Sequence, residues 1–423
     1  MKKNYFTFLY LFLIFIFTYC SSEKDSFSEK PPIDNNKSPT EEAFTLFPKD
    51  HVPNSDLYGE GEILQNQSDN PKFLLSTRKW QGVPSIGKDK FGNLYVAFLA
   101  GSCPGECDLN YLTVSVSRDN GISWSDNKLI LSVTPEDSTK MNEANFFNDK
   151  FGNLYMYWGK YVKKKGVKEW TISWYSKIDL SDDGTKINYT PPRRIAEGIM
   201  LNKLFYSDIS DQVIFPIARW YEGDPELHRP FIYKANYGAK SLTNFTKVGA
   251  IPVPVSVSGI YEHMIVQLKD NTYLGMIRTK DGIYYSKSSD GNVWEDSKRF
   301  TAVGATTYSR FYLGKLNSGR LILIFNNDYL RSKMTVCLSE DDGVTWPYKV
   351  VIDNYKVLVN TDTGDYHGVS YPDMIETSPG LLNIVYDRLR APEGNIIFVK
   401  ILEDDILKNN TSNIFTTKIS TLK

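Results

Sequence analysis

Apolar and polar residues alternate along most of the chain in short runs, a pattern typical of β-strands. Well-defined runs cover residues 94–99, 154–158, 272–277 and 321–325. Many of these runs recur at roughly the same spacing, and no helical pattern of any length interrupts them between residues 72 and 405. The pattern therefore predicts an all-β fold built from a repeated unit.

Two short motifs repeat within this region. Residues 89–95 return letter for letter as residues 149–155, and each copy is a turn that leads into an alternating strand. A second motif, Ser-x-Asp-x-Gly-x-x-Trp, covers residues 117–124 and 339–346, with a shortened copy at 288–294 and a copy lacking Trp at 181–184. We expect the Asp to close a turn onto its own backbone, the Gly to take positive φ, and the Trp to fill space between strands.

The spacing of the Trp residues gives the number of units. Trp124, Trp294 and Trp346 are separated by 170 and 52 residues, which is about three units and one unit of the same pitch. Six such units fit between residues 72 and 405. The sequence predicts a six-bladed β-propeller of four-stranded antiparallel blades, with a strand near residues 72–76 closing the last blade. An irregular β-sandwich is the alternative, but it does not explain the even pitch.

The beginning of the chain has the features of an export signal. Lys2 and Lys3 precede an apolar run over residues 5–19, which is short for a membrane span and ends at Cys20. This arrangement resembles a bacterial lipoprotein signal, in which Cys20 is lipidated, although Tyr19 stands where a small residue is usual. An ordinary export signal or an uncleaved anchor is the alternative.

These features divide the chain into three parts. Residues 1–20 are the predicted signal, residues 21–55 a solvated and disordered tether, and residues 56–423 the propeller domain. We expect an exported protein, held at a bacterial membrane or cell surface only through its lipid anchor.

Export also bears on the remaining cysteines. Cys103 and Cys107 share a tight loop with no His nearby, which favours a structural disulfide over a metal site. Cys337 is then expected to be a buried free thiol.

Composition excludes several classes of function. With 49 Lys+Arg against 50 Asp+Glu, no strong net field attracts nucleic acid. With only 4 His in the chain, the composition does not favour a His-rich metal site. No nucleotide-binding loop or Ser/His/Asp nucleophile motif stands out. We expect no metal and no cofactor.

Alignment of the six units by their pitch brings one residue from each unit to the start of its innermost strand. Substrate pockets of propellers form at this central position. The six residues are Gly82, Glu143, Lys203, Glu262, Arg310 and Tyr371. Most of them carry polar or ionisable groups, which favours a central pocket over a structural ion network.

The Asp-box motifs on a six-bladed frame resemble the sialidase (neuraminidase) superfamily over most of residues 75–405. In that family a Glu pairs with a Tyr nucleophile, and an Arg one hairpin after the Glu binds the substrate carboxylate. Glu262, Tyr371 and Arg278 match these three positions. Arg331 precedes an Asp box, as the family's third carboxylate-binding Arg does.

The first carboxylate-binding Arg of the family has no counterpart here, because Gly82 occupies its position. Arg78 lies four residues earlier. Arg310 and Arg388 are the predicted substitutes, since both lie near the same face of the propeller.

The resemblance implies an exo-α-sialidase-like glycoside hydrolase that removes a terminal sialic acid from a glycan with retention. A neutral phenol suits attack beside a carboxylate, which would repel a second carboxylate. The family's acid/base Asp corresponds to the loop over residues 103–110, where Asp108 and Glu106 are both candidates. A glycosidase for another terminal sugar and a non-catalytic propeller that binds glycan or protein are the alternatives.

Overall fold

The computed structural model describes residues 44–48, 50–51, 65–66, 69–132, 139–162, 170–207, 209–220, 228–355, 358–359 and 366–422. The predicted signal with Cys20, and the tether as far as residue 43, lie outside these residues. Phe44–Lys423 is one compact unit. Within the described ranges, no helix is long and apolar enough to cross a membrane.

The chain folds into the predicted six-bladed β-propeller of antiparallel sheets. Blade 1 contains β1 (Gln65–Asn66), β2 (Trp80–Lys88), β3 (Leu94–Gly101), β4 (Tyr111–Ser117) and β5 (Leu129–Ser132). Blade 2 contains β6 (Thr139–Asn148), β7 (Leu154–Val162), β8 (Trp170–Leu180), β9 (Ile187–Tyr189) and β10 (Arg193–Glu197). Blade 3 contains β11 (Phe205–Ser207), β12 (Gln212–Trp220), β13 (His228–Tyr237) and β14 (Leu242–Ala250).

The second half of the ring follows the same plan. Blade 4 contains β15 (His263–Gln267), β16 (Tyr273–Thr279), β17 (Gly282–Ser288) and β18 (Lys298–Arg299). Blade 5 contains β19 (Tyr312–Lys315), β20 (Leu321–Asn326), β21 (Met334–Ser339) and β22 (Tyr348–Asp353), and a separate hairpin of β23 (Leu358–Val359) and β24 (Tyr366–His367) follows. Blade 6 contains β25 (Val369–Ser378), β26 (Leu381–Arg388), β27 (Asn395–Leu402) and β28 (Phe415–Thr421), with a short helix α1 (Glu403–Leu407) before β28.

The innermost strands of the six blades are β2, β6, β11, β15, β19 and β25. Each of the six aligned central residues lies in one of these strands or just before it. The apolar core lies between neighbouring blades: one buried cluster, for example, joins Trp80 and Tyr95 of blade 1 to Met156 and Trp158 of blade 2.

The predicted closing strand near residues 72–76 is wrong. That segment forms two short 3-10 turns, Pro71–Phe73 and Leu75–Thr77. Blade 6 is complete without it, because β25 to β28 pair in chain order. The ring closes through side chains and single backbone bonds instead, such as that from the Gln81 amide to the Arg390 carbonyl at 3.0 Å.

The predicted tether also extends too far. Phe44, Leu46 and Phe47 are buried in a cluster formed by blades 2 and 3. Backbone hydrogen bonds, including one from the Thr45 amide to the Lys240 carbonyl at 2.9 Å, hold this segment on the domain. Three large apolar side chains among polar neighbours were enough to anchor a stretch whose average composition indicated a tether.

The Asp-box turns have the expected geometry. In the motif of blade 5, Asp341 Oδ1 accepts a hydrogen bond from the Thr345 amide at 2.8 Å, and Gly343 takes a φ of 83°. Trp346 is 3 % exposed and packs edge-on against Phe300 of blade 4 with ring centroids 6.1 Å apart. This turn therefore supplies an aromatic plug to the interface between blades 4 and 5.

This packing predicts a large effect of removing one plug. Because Trp346→Ala leaves a cavity at a blade interface, we expect the free energy of unfolding to fall by about 3 kcal/mol or more. Val344→Ala in the same turn is the control, since Val344 is 63 % exposed. Chemical denaturation measures both variants, and equal stability of the two would contradict the role of the plug.

Candidate active site

Three innermost strands bulge towards the centre of the propeller. One extra residue interrupts the pairing of β2 between Gly82 and Ser85, of β6 between Met141 and Ala144, and of β25 between Ser370 and Asp373. The bulges of β2 and β25 contain Pro84 and Pro372. Pro has no N–H to donate to a neighbouring strand, and it is tolerated at a bulge because the regular pairing is interrupted there.

The residue before each of these prolines has an uncommon backbone conformation. Val83 has a φ of 60° and Tyr371 a φ of 58°, in the left-handed region that side chains rarely occupy. The Val83 amide donates to Asp387 Oδ2 at 2.8 Å. Asp373 Oδ2 accepts from Ser85 Oγ at 2.7 Å and from Lys203 Nζ at 2.8 Å. These buried bonds hold the bulges in place, and strained positions of this kind cluster at functional sites.

The bulge of β25 presents the Tyr371 side chain to Arg278 and Glu262. Arg278 Nη1 donates to Tyr371 Oη at 2.8 Å and to Glu262 Oε2 at 2.6 Å. All three residues are buried, and Glu262 Oε1 has no hydrogen-bond partner among the residues that the structure describes. The structure thus brings the predicted nucleophile, its predicted base and a predicted carboxylate ligand together, with Arg278 between the other two.

Three further guanidinium groups lie against the ring of Tyr371. The Cζ atoms lie 4.2 Å from the ring centroid for Arg390, 4.8 Å for Arg310 and 5.3 Å for Arg331. Arg331 Nη2 donates to the Tyr308 carbonyl at 3.4 Å, and no ion pair found among the described residues includes Arg331. The site is therefore rich in positive charge around one phenol.

Arg310 is in the site, but the protein uses its hydrogen-bond donors. Its Nη1 donates to Glu143 Oε2 and to the Leu201 carbonyl, each at 3.0 Å. Its Nη2 donates to the Pro84 carbonyl at 2.8 Å and to the Tyr371 carbonyl at 3.3 Å. Arg310 therefore holds the bulges rather than offering donors to a ligand.

The predicted role of Arg388 is wrong, and Arg390 takes its place. Arg388 pairs with Asp353 and lies over the ring of Tyr355, away from the Tyr371 cluster. Leu389 has a φ of 51°, which turns the chain and directs Arg390 inward. The sequence does not indicate the position of Arg390, because the alternation of β26 ends at Arg388 and the turn at Leu389 is not predicted by it.

The loop after β3 contributes Glu106 to the edge of the site. Glu106 lies 3.5 Å from Arg390 Nη1 and 3.2 Å from Lys140 Nζ. Desolvation raises the pKa of Glu106, but the charges of Arg390 and Lys140 outweigh it and hold the pKa below its usual range. Asp108 is exposed on the same loop, and Cys103 and Cys107 form a disulfide bond there.

Other predicted positions contribute less directly. Cys337 is a buried free thiol. Arg78 faces away from the centre, where its Nε donates to Tyr111 Oη at 2.9 Å. Within the described part of the chain, no cluster of His, Cys, Asp or Glu could hold a metal ion.

Burial changes the protonation of two groups at the centre. Desolvation raises the pKa of Tyr371, although Arg278 and Arg331 oppose it, so the phenol is neutral at neutral pH. Desolvation also raises the pKa of Glu143 to about 8, against the opposing charge of Arg310 and with the help of Glu262 and Glu106. Glu143 is one of the six central residues found by aligning the internal units, and the sequence predicts no chemical role for it.

The raised pKa of Glu143 predicts a pH-dependent stability. Because the folded chain keeps this proton to a higher pH than the unfolded chain does, the contribution of Glu143 to the free energy of unfolding falls as the pH rises from about 5 towards 8. Glu143→Gln removes the titration, so the wild type should lose stability relative to this variant over that range. Denaturation at both pH values measures the difference, and Glu295→Gln on the exposed surface is the control. Parallel pH profiles for wild type and Glu143→Gln would contradict the assignment.

Comparison with known proteins places the fold in a wider group. The structure is similar to a sialidase from Streptococcus pneumoniae, with a TM-score of 0.56 and 13 % identity over 81 % of this chain and 71 % of that chain. The intramolecular trans-sialidase from Ruminococcus gnavus gives a TM-score of 0.52 and 12 % identity over 79 % and 97 % of the two chains. An α-L-arabinofuranosidase from Fusarium graminearum gives 0.51 and 11 % over 78 % and 94 %. At these identities the similarity shows the shared propeller fold.

Sequence comparison gives the family. No curated protein matches the chain significantly. The BNR repeat-like domain family matches residues 92–384. Because this match covers more than half of the 423 residues, the chain belongs to the BNR repeat-like domain family.

Proposed function

We propose that the protein is a glycoside hydrolase that removes a terminal, carboxylate-bearing sugar of the sialic acid type from a glycan with net retention. The observation that supports this function is the convergence of Arg278 and Arg331 on Tyr371, beside the buried carboxylate of Glu262.

The arginines suit an anionic substrate. Guanidinium groups make paired, charge-assisted hydrogen bonds to a planar carboxylate. Arg331 can offer Nη1 and Nε for this role, because its hydrogen bond to the Tyr308 carbonyl is made by Nη2. Arg278 would contact the same carboxylate next to the Tyr371 hydroxyl, which places the anomeric carbon close to the phenol.

Tyr371 would attack that carbon as a neutral nucleophile. Its raised pKa keeps the proton on the phenol until reaction, and the unpartnered Oε1 of Glu262 is available to accept it. The bond from Tyr371 Oη to the anomeric carbon forms as the glycosidic bond breaks. The leaving oxygen takes a proton from an acid, and water deprotonated by the same group later releases the sugar.

Glu106 is the best placed of the candidate acid/base residues. It must meet both the leaving group and water, and its side chain is 45 % exposed at the edge of the site. A substrate carboxylate would offset the positive charge of Arg390, which would raise the pKa of Glu106 towards the range that an acid needs. Asp108 is exposed on the same loop, and Glu143 is buried against Arg310.

Loss of the nucleophile or its base tests the proposal. We expect Tyr371→Phe and Glu262→Gln to lower kcat/KM on a fluorogenic aryl sialoside by about 10²-fold or more, because each removes a group that acts in the transition state. Tyr355→Phe, outside the cluster, is the matched control.

Two results would contradict this function. Turnover of an aryl arabinofuranoside or another neutral glycoside, with none of the sialoside, would favour a glycosidase for a different sugar. Glycan binding that is unchanged in Tyr371→Phe, with no product from any substrate, would favour a non-catalytic propeller.

A comparison of leaving groups identifies the acid. We expect Glu106→Gln to lower the rate by about 10²-fold or more on an alkyl sialoside, but much less on an aryl sialoside, whose leaving group needs no protonation. Asp108→Asn and Glu143→Gln are tested beside it. If one of these two shows the dependence on leaving group instead, Glu106 is not the acid.

A further inference from the structure

The side chain of Arg390 passes over Gly82, a residue of the first blade that has no side chain of its own. Arg390 follows β26 in blade 6, and Gly82 lies in β2. A Cβ atom on Gly82 would lie 3.0 Å from Cγ, Cδ and Nε of Arg390, closer than side chains normally approach. The absence of a side chain at Gly82 therefore leaves room for Arg390 in this position, and a Cβ there would push its side chain aside.

The anchoring of Arg390 leaves its outer nitrogens available. Nε donates to Asp387 Oδ2 at 3.0 Å, and the guanidinium also lies over the ring of Trp80 at 5.8 Å. By contrast, Nη1 and Nη2 make only long contacts of 3.5 Å, to Glu106 and to Ser370. One edge of the group is fixed by the protein, while the other is weakly engaged beside Tyr371.

The neighbouring arginines differ in this respect. Both terminal nitrogens of Arg310 are occupied by four protein acceptors. Arg278 Nη1 is shared between Glu262 and Tyr371. The terminal nitrogens of Arg331 and Arg390 make only long contacts, of 3.4 Å and 3.5 Å, and both guanidinium groups lie against the ring of Tyr371.

We propose that Arg390 sets the selectivity of this site for a carboxylate, and that Gly82 is required because it leaves room for the Arg390 side chain. This inference rests on the proposed function and names the residue that distinguishes an acidic sugar from its neutral form. A carboxylate would bind Nη1 and Nη2 of Arg390 and displace their long contacts to Glu106 and Ser370.

Binding without turnover tests this inference separately from catalysis. The probes are N-acetylneuraminic acid and its methyl ester, titrated into the full-length protein and followed by NMR. The wild type should bind the acid more tightly than the ester. Because a hydrogen bond to a charged group is lost, Arg390→Ala should weaken binding of the acid by about 10-fold or more and leave binding of the ester unchanged. Arg390→Lys, which keeps the charge but loses the fork, should show a partial loss. Arg388→Ala is the matched control, two residues away and paired with Asp353.

A double-mutant cycle tests the role of Gly82. Gly82→Ala should weaken binding of the acid by displacing Arg390, and this loss should vanish in the Arg390→Ala background, because the two changes act through one side chain. Thermal unfolding of each variant checks the fold, and Arg390→Lys keeps the test valid if Arg390→Ala is unstable.

The outcomes separate this inference from the proposed function. An Arg390-dependent preference for the acid supports it even if no sialoside is hydrolysed. Equal binding of acid and ester by the wild type, an unchanged preference in Arg390→Ala, or a Gly82→Ala effect that persists without Arg390 would overturn it.

Discussion

One buried guanidinium group ties the centre of the propeller together. Arg310 lies before the first strand of blade 5 and donates to the Pro84 carbonyl of blade 1, Glu143 of blade 2 and the Tyr371 carbonyl of blade 6. It also donates to the Leu201 carbonyl, between blades 2 and 3. A planar fork can satisfy acceptors in several directions at once, whereas the ammonium group of Lys cannot match this geometry. Because an unpaired buried charge is costly, the bulged strands must keep presenting these acceptors to Arg310. The shape of the site thus depends on a residue whose two terminal nitrogens both donate to the protein.

The charges around Tyr371 divide the arginines into two kinds. Arg310 and Arg278 are closely paired with Glu143 and Glu262, and they stabilise the arrangement. Arg390 is also paired, with Asp387 through Nε, but its terminal nitrogens and those of Arg331 make only long contacts, which leaves them for an anion. The formal net charge of −1 for the whole chain conceals this local excess.

The sequence was sufficient to predict the fold because each blade repeats the same physical solution. The Trp residues of three Asp boxes, in blades 1, 4 and 5, are separated by roughly whole multiples of one pitch, so the number of blades could be counted. The pitch also placed Glu262 and Tyr371 at the starts of innermost strands, whereas the relation of both to Arg278 in β16 was implied by the resemblance to the sialidase superfamily.

The errors arose where a single residue changed the direction of the chain. Strand alternation predicts that Arg388 and Arg390 share a face, but the positive φ of Leu389 interrupts it, so Arg388 pairs with Asp353 and Arg390 lies against Tyr371. The closing strand was wrong because an apolar stretch with Pro71 forms turns as readily as a strand. The chemistry of Glu143 was not apparent, because its pKa depends on burial and on charges from four other blades or loops.

The bulges at Val83, Glu143 and Tyr371 also determine which insertions and deletions the site tolerates. Neighbouring residues of a strand face opposite sides of the sheet, and each bulge contributes one residue beyond the pairing of its strand. Loss of one codon at the bulge of β25 would remove that extra residue and leave a regular strand, in which Ser370 and Asp373 keep their partners Asp387 and Val385. Tyr371 would then lose the bulge and the positive φ that present it to Arg278. The site should therefore tolerate many point substitutions in its surroundings but few single-codon insertions or deletions within these three strands.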